Sequence, residues 1–135
     1  MKHRIFLGGT CNGSTWRENL TRVLDVDCFN PVVEDWTPQA QQNEEYEKGE
    51  RCNIHLYVIT HEMKGVFSIA EVIDSVHTPC KTTVLQVMPD GFGDSQLKSL
   101  KAVVDLVCLR GGIAYIDSEL NRTARILNNS FRQEV

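Results

Sequence analysis

The sequence predicts a single α/β domain spanning residues 1–135: a flavodoxin-like or Rossmann-like three-layer sandwich with a five-stranded parallel sheet of order 2-1-3-4-5. The 135 residues fit one domain of common length. Short β-rich segments alternate with longer helical ones, which implies right-handed crossovers and helices on both faces of a parallel sheet. The segment Ile54–Thr60 is almost continuously apolar, as expected of a central strand that is buried on both faces.

The predicted elements follow one another in a regular order. We predict strands at His3–Gly8, Cys28–Val33, Ile54–Thr60, Thr82–Met88 and Ile113–Ile116. We predict helices at Thr15–Leu24, Pro38–Arg51, Val66–His77 and Ser95–Leu109, and a last helix that ends near Phe131. Thr15 and Glu18 match a T-x-x-E capping box, and Trp16 is expected in the core. Pro31 cannot donate a hydrogen bond to a neighbouring strand, so the second strand is predicted at the edge of the sheet.

Composition limits the classes of function. Hydrophobic residues make up 41% and charged residues 24% of the chain, which is ordinary for a globular protein. The 14 basic residues are scattered among 18 acidic ones, so we expect no binding to long nucleic acid. No apolar segment approaches the length that spans a bilayer, and the N-terminal MKHRIFLGG reaches glycines before a signal-peptide core could form. We therefore expect a cytoplasmic protein that does not bind membranes.

The cysteines favour reduced thiols, because their number is odd and no CxxC pair occurs among them. Cys52-x-x-His55 and His77-x-x-Cys80 could together supply four zinc ligands. However, His55 lies within an apolar strand, whereas zinc-binding pairs usually bracket tight turns. Ordinary packing of these residues is the favoured interpretation, and we predict neither a metal nor a cofactor.

The strand order predicts a ligand site beyond the carboxyl ends of the first and third strands. The loop after the first strand contains Gly8, Gly9, Thr10 and Ser14, and glycine backbone allows a ligand to approach closely. The loop matches the outer frame of a P-loop from Gly8 to Gly13, but Ser14 replaces the phosphate-binding lysine, which argues against a nucleotide triphosphatase. Two interpretations stay open: a ligand-binding loop, or merely a tight connection between strand and helix.

The helix that follows the third strand carries Ser68 and Glu71 on one face. A glutamate at this place can act as a nucleophile, or it can be a solvated residue that interacts favourably with the helix dipole. A helical wheel places Glu71 nearly opposite the apolar residues Ile69 and Ile73. We therefore expect Glu71 to be exposed unless another loop or another subunit covers it, which raises the possibility of a homo-oligomer.

Three segments, IFLGGTCNGSTWRENL, FNPVVEDWT and CNIHLYVITHEMKGVFSIAEVIDS, resemble the nucleoside 2-deoxyribosyltransferase-like family, in particular a branch frequent in phage and bacterial genomes. In the characterised enzymes a helix glutamate attacks the anomeric carbon of a nucleoside, and the resemblance assigns this role to Glu71. An assisting acidic residue falls on Glu45, with Glu44 and Glu47 as close alternatives. The family's aspartate in the loop before the nucleophile helix is replaced here by Lys64-Gly65, which argues against strict transferase activity.

The resemblance also suggests how a small nucleoside or nucleotide would be bound. Related members hydrolyse deoxynucleotides, and Ser14, Arg17 and Ser68 could hold a 5′-phosphate. Asp35 could bind sugar hydroxyls, and Trp36 could stack on the base. Trp36 could equally be a packing residue, and Arg17 could be a solvated one. The sequence thus supports two hypotheses: an N-glycosidase or deoxyribosyltransferase, and a non-catalytic nucleotide-binding or signalling module that uses the same cleft.

Overall fold

The computed structural model describes residues 2–11 and 13–132 and contains a five-stranded parallel sheet. The strands are β1 (Arg4–Gly9), β2 (Asp27–Phe29), β3 (Ile54–Ile59), β4 (Thr82–Val87) and β5 (Ile113–Ile116). Their order is β2-β1-β3-β4-β5, and each neighbouring pair is parallel. The predicted fold class and strand order are therefore confirmed.

Helices cover both faces of the sheet. They are α1 (Trp16–Thr21), α2 (Pro38–Tyr46), α3 (Phe67–His77), α4 (Asp94–Leu109) and α5 (Asn121–Phe131), and a π-helical turn (Glu47–Arg51) continues α2. On one face Leu20 of α1 and Leu127 of α5 belong to the same buried cluster as Leu56. On the other face Val72 of α3 lies in a cluster with Tyr57. Successive residues of β3 thus support opposite layers, as the alternation of side chains along a strand requires.

The start of α1 differs from the prediction. The capping box is wrong, because in the described structure the Thr15 side chain makes no capping hydrogen bond. The Thr15 backbone has φ −106° and ψ 5°, outside the extended conformation from which a cap side chain reaches the free N–H groups. The helix also ends at Thr21, three residues before the predicted end at Leu24.

The second strand is shorter than predicted, ending at Phe29 rather than Val33. The Asn30 side-chain oxygen accepts a hydrogen bond from the Val32 N–H at 3.0 Å, a local turn that competes with strand pairing. Within the described sheet β2 pairs with β1 alone, so its predicted edge position is confirmed.

A chain of hydrogen bonds attaches the π-helical turn to β3. His55 Nε2 lies 2.8 Å from the Lys48 carbonyl oxygen, and His55 Nδ1 lies 2.8 Å from the Ser75 hydroxyl. Since a carbonyl only accepts, Nε2 carries the proton of the neutral ring and Nδ1 accepts from Ser75. The Ser75 hydroxyl is in turn 2.7 Å from that of Thr83. His55 is therefore a packed core histidine, in line with the favoured interpretation of the Cys52 and His55 pair.

In the described part of the chain, no helix combines the length and apolar character needed to cross a membrane.

Protonation of His55 should destabilise the fold. Burial lowers the pKa of His55 from 6.5 to about 4. Because the folded state disfavours the charged ring, this contribution to stability is fully present above pH 6.5 and is lost as the pH falls towards 4. We expect the free energy of unfolding, measured by urea titration, to fall by about 3 kcal/mol over this range from this residue.

The variants His55→Gln and His77→Gln separate this effect from general acid destabilisation. His77 is an exposed histidine on α3, so its replacement should leave the pH dependence unchanged. His55→Gln should be less stable than the wild type at pH 7 and should lose stability less steeply between pH 6.5 and 4. Equal slopes for the wild type and His55→Gln would contradict the assignment.

Candidate functional site

An open cavity of about 180 Å³ lies beyond the carboxyl ends of β1 and β3. Its lining comes from the end of β1, the loops after β2 and β3, and helices α1, α2 and α3. The lining residues are Phe6, Gly8, Gly9, Thr10, Cys11, Arg17, Pro31, Glu44, Met63, Gly65, Phe67, Ser68 and Glu71. This is the position that the strand order predicts for a ligand site.

Neither glycine at the end of β1 leaves room for a side chain against β3. A Cβ atom on Gly8 would be 2.6 Å from the Tyr57 ring. Gly9 has φ +107°, and a Cβ atom there would be 2.2 Å from the Val58 carbonyl oxygen. Both glycines line the cavity, but the requirement for glycine comes from packing between strands. The loop is thus a tight connection between strand and helix that borders the candidate site, and its contact with a ligand stays a prediction.

Buried hydrogen bonds fix the loop after β1. The Thr10 hydroxyl oxygen accepts from the Thr60 N–H at 2.9 Å. Arg17 is only 5% exposed, and its guanidinium donates to the carbonyl oxygens of Leu7, Gly9 and Thr10 at 2.9, 3.3 and 2.7 Å. Burial lowers the pKa of Arg17. The proposal that Arg17 is a solvated residue is therefore wrong. Trp16, predicted in the core, is buried and donates to the Thr10 carbonyl oxygen at 2.9 Å.

Glu71 lines the cavity and is paired with Lys48. The Lys48 ammonium nitrogen lies 2.6 Å from Glu71 Oε2, and the two side chains are 22% and 17% exposed, respectively. The same ammonium lies 5.4 Å from the centroid of the Phe6 ring and 6.0 Å from that of Tyr57. Glu71 is thus covered by the π-helical turn of its own chain, and this cover does not require a second subunit. Ser68, one turn earlier on α3, lines the cavity as well.

Glu44 is the acidic residue of α2 that reaches the cavity. Burial and the charge of Glu71 raise the pKa of Glu44 above its usual range. Glu45, which the sequence favoured, is exposed and is not among the described residues that line the cavity. Glu47 is buried, but its carboxylate is bound by Arg4 at 2.8 Å and Arg51 at 3.1 Å. Of the three candidates, therefore, Glu44 is the one near Glu71.

Three predicted binding residues lie outside this cavity. Ser14 lines a neighbouring cavity of about 210 Å³ that it shares with His61 and Asp90. Asp35 is exposed, and Trp36 is 58% exposed, so Trp36 is not a packing residue. The described lining of the candidate site does not include Ser14, Asp35 or Trp36. Ser14 therefore lines a different cavity from Arg17 and Ser68, both of which line the candidate site.

Sequence reasoning missed several apolar residues of the site. The cavity lining includes the apolar residues Phe6, Pro31, Met63 and Phe67 and the thiol of Cys11. Phe67 is 74% exposed, so it presents an aromatic face at the mouth of the cavity. Its position at the start of the helix after β3 was the available signal, because helix starts at this edge of the sheet face the ligand site.

A sequence model for proteins described as nucleoside 2-deoxyribosyltransferase like matches residues 2–90, which include every element from β1 to β4. The chain belongs to this nucleoside 2-deoxyribosyltransferase-like family. Membership indicates glycosyl transfer on nucleosides, and the matched residues include all those that line the cavity. No curated protein and no solved structure matches the chain.

Replacing Gly9, which lines the cavity, should destabilise the protein. Gly9→Ala would place a methyl group against the Val58 carbonyl oxygen at a backbone conformation that alanine rarely adopts. We expect a loss of about 2–4 kcal/mol in the free energy of unfolding, measured by urea titration. The control is Gly65→Ala, at a cavity-lining glycine whose added Cβ would meet no atom within 4 Å. Similar stability of the two variants would contradict the close approach of β1 and β3.

Proposed function

We propose that this protein cleaves the N-glycosidic bond of a nucleoside, with Glu71 as the nucleophile and Glu44 as the proton donor. One observation carries the proposal: two carboxylic acids line one cavity in different electrostatic environments. Glu71 is paired with an ammonium group at 2.6 Å, whereas burial and the charge of Glu71 raise the pKa of Glu44. Pairs of carboxyl groups whose environments differ in this way are typical of acid and base assignments in enzymes.

The reaction follows from these two states. A Glu71 oxygen attacks the anomeric carbon, the carbon–nitrogen bond breaks, and its electron pair leaves with the base, which takes the proton of Glu44. This step forms a glycosyl ester on Glu71. Water then attacks the anomeric carbon and gives a proton to Glu44, while the ester bond breaks and its electron pair returns to Glu71. A second base in place of water would make the reaction a transfer rather than a hydrolysis.

The lining of the cavity favours a nucleoside without a 5′-phosphate. Two acidic residues face the space, and the Arg17 guanidinium is directed to three backbone carbonyl oxygens rather than to a ligand. A phosphate would add negative charge close to these carboxyl groups. Thr10 and Ser68 offer hydroxyl groups for the sugar, while Phe67 and Met63 offer an apolar surface for the base. We therefore infer that free nucleosides react faster than their 5′-monophosphates.

A non-catalytic nucleotide-binding module is the second candidate. One observation favours it: Lys64-Gly65 stands where the family resemblance implies an aspartate, and Gly65 lines the cavity. If the protein only binds, a nucleotide raises the melting temperature through selective binding to the folded state, and no base is released.

Glu71→Gln should abolish base release. A panel of ribonucleosides, 2′-deoxynucleosides and their 5′-monophosphates is incubated with the protein, and free base is measured by chromatography. The amide cannot serve as the nucleophile, so we expect kcat to fall about a thousandfold or more. Asp74→Asn, which alters an exposed carboxylate three residues further along α3, is the matched control and should keep wild-type activity. Equal activity of the two variants would exclude Glu71 as the nucleophile.

Glu44→Gln and Glu45→Gln identify the proton donor. The two carboxyl groups are adjacent on α2, but in the described structure only that of Glu44 reaches the cavity. We expect kcat to fall about 100-fold in Glu44→Gln and to stay near the wild-type value in Glu45→Gln. Because Glu44 must be protonated to act, wild-type activity should decline as the pH rises through its raised pKa, and this decline should be absent in Glu44→Gln. Loss of activity in Glu45→Gln but not in Glu44→Gln would instead identify Glu45 as the proton donor, as the sequence resemblance suggests.

A further inference from the structure

Lys48 is placed so that one ammonium group interacts with both candidate carboxyl groups. It forms the 2.6 Å ion pair with Glu71, and its charge also acts on Glu44. We propose that Lys48 is a positioning residue, which fixes the Glu71 carboxylate and serves as the common counter-ion of Glu71 and Glu44 as negative charge passes between them. This inference rests on the proposed function, and it assigns a role to a residue outside the described lining of the cavity.

The ion pair between Lys48 and Glu71 is partly buried and lies near two aromatic rings. Its two side chains are about one fifth exposed, so solvent screens the pair less than it screens a surface ion pair. The aromatic rings of Phe6 and Tyr57 lie 5.4 and 6.0 Å from the ammonium nitrogen and restrict its movement. Lys48 is bonded to Glu71 Oε2, so this contact leaves the other carboxylate oxygen available for the substrate.

The π-helical turn sets the position of Lys48. The wide turn is closed by a 2.7 Å hydrogen bond from the Cys52 N–H to the Glu47 carbonyl oxygen. The Lys48 carbonyl oxygen is bound by His55, and the Glu47 carboxylate is bound by Arg4. These contacts fix the backbone on both sides of the Lys48 Cα atom. Single π-helical turns occur frequently at functional sites, which agrees with a role in positioning a side chain.

The charges of the proposed reaction explain why one cation suffices. The proposed reaction begins with Glu71 as the attacking carboxylate and with Glu44 carrying the proton that it donates, so these two groups and the Lys48 ammonium sum to zero. In the glycosyl-enzyme Glu71 is a neutral ester and Glu44 is ionised, so the sum is again zero. Without Lys48 both states would carry a net negative charge in a partly buried site, which is electrostatically unfavourable.

The other charged groups around Glu44 do not replace Lys48. Burial and the charges of Glu71 on α3 and Glu45 on α2 raise the pKa of Glu44, whereas the charges of Lys48 and Arg17 lower it. Arg17 is already bound to backbone carbonyl oxygens of the β1 loop. The charge of Lys48 acts on Glu44 more strongly than that of Arg17, so removal of Lys48 should change the pKa of Glu44 more than removal of Arg17 would.

The kinetic test compares Lys48→Gln and Lys48→Arg with Lys98→Gln, which alters an exposed lysine on α4. In Lys48→Gln we expect kcat to fall about 100-fold with KM within about threefold, because the lost contact acts on the reacting carboxylates. The decline of activity at high pH should also move to higher pH, since Lys48 lowers the pKa of Glu44. Lys48→Arg keeps the charge and should retain most of the wild-type pH profile. A kcat in Lys48→Gln within threefold of the wild type would overturn the proposal.

A titration that needs no turnover separates this proposal from the proposed function. Glutamate labelled with ¹³C at the side-chain carboxyl is incorporated into the wild type and the three variants, and the Glu44 signal is assigned by its loss in Glu44→Gln. The pKa of Glu44 should rise in Lys48→Gln and stay unchanged in Lys48→Arg and Lys98→Gln. If Lys48→Gln does not fold, as judged by circular dichroism, Lys48→Met is used. If the wild type releases no base, the proposed glycosidase activity is rejected but the role of Lys48 is not. If the pKa of Glu44 is unchanged in Lys48→Gln, the role of Lys48 as counter-ion is rejected.

Discussion

The close approach of β1 to β3 is the constraint on which the site depends. Gly8 and Gly9 leave no room for a side chain between these strands, so the carboxyl ends of β1 and β3 lie side by side. The loop after β1 is then tied to β3 by the bond between Thr60 and Thr10 and to its own strand by Arg17. The part of the cavity wall that β1 and its loop supply is therefore positioned by strand packing and by these hydrogen bonds.

The second requirement is a charge pattern that the sheet alone does not provide. α3 supplies Glu71 to the cavity, and α2 supplies Glu44. The π-helical turn places Lys48 in an ion pair with Glu71, and the bond to His55 attaches that turn to the central strand. In this family member the core histidine, the turn and the ion pair thus form one connected structure, which links the stability of the sheet to the electrostatics of the candidate site.

The sequence predicted the frame of the site because that frame follows from patterns that repeat along the chain. Alternating strands and helices indicated a parallel sheet, and five strands favoured the order 2-1-3-4-5. That order placed Gly8 and Glu71 at the same edge of the sheet. The helical wheel of α3, by contrast, left Glu71 exposed, because cover by a distant segment is not contained in the periodicity of a single helix. The length of the Arg17 side chain also lets it fold back onto the carbonyl oxygens of its own loop, which a residue-by-residue analysis does not reveal.

Glu44 could not be separated from Glu45 by sequence for a different reason. Neighbouring residues of a helix point about 100° apart, so the choice depends on the rotation of the helix. α2, described over its whole length, buries no residue, so it lacks the apolar stripe from which that rotation is normally inferred. The π-helical turn after it shifts the phase again and carries no sequence signal of its own. The pairing of Lys48 with Glu71 depends on that turn and therefore could not be predicted from the sequence.

The role of Glu71 as the nucleophile can be tested by trapping the covalent intermediate. A nucleoside with fluorine at the sugar 2′ carbon slows breakdown of the glycosyl-enzyme, because fluorine destabilises the positive charge that develops on the sugar in the transition state. After incubation and digestion, we expect mass spectrometry to find the mass of the sugar added to the peptide containing Glu71, and to find no such addition in Glu71→Gln. Release of base without any sugar-bearing peptide, or a sugar attached to a different residue, would contradict it.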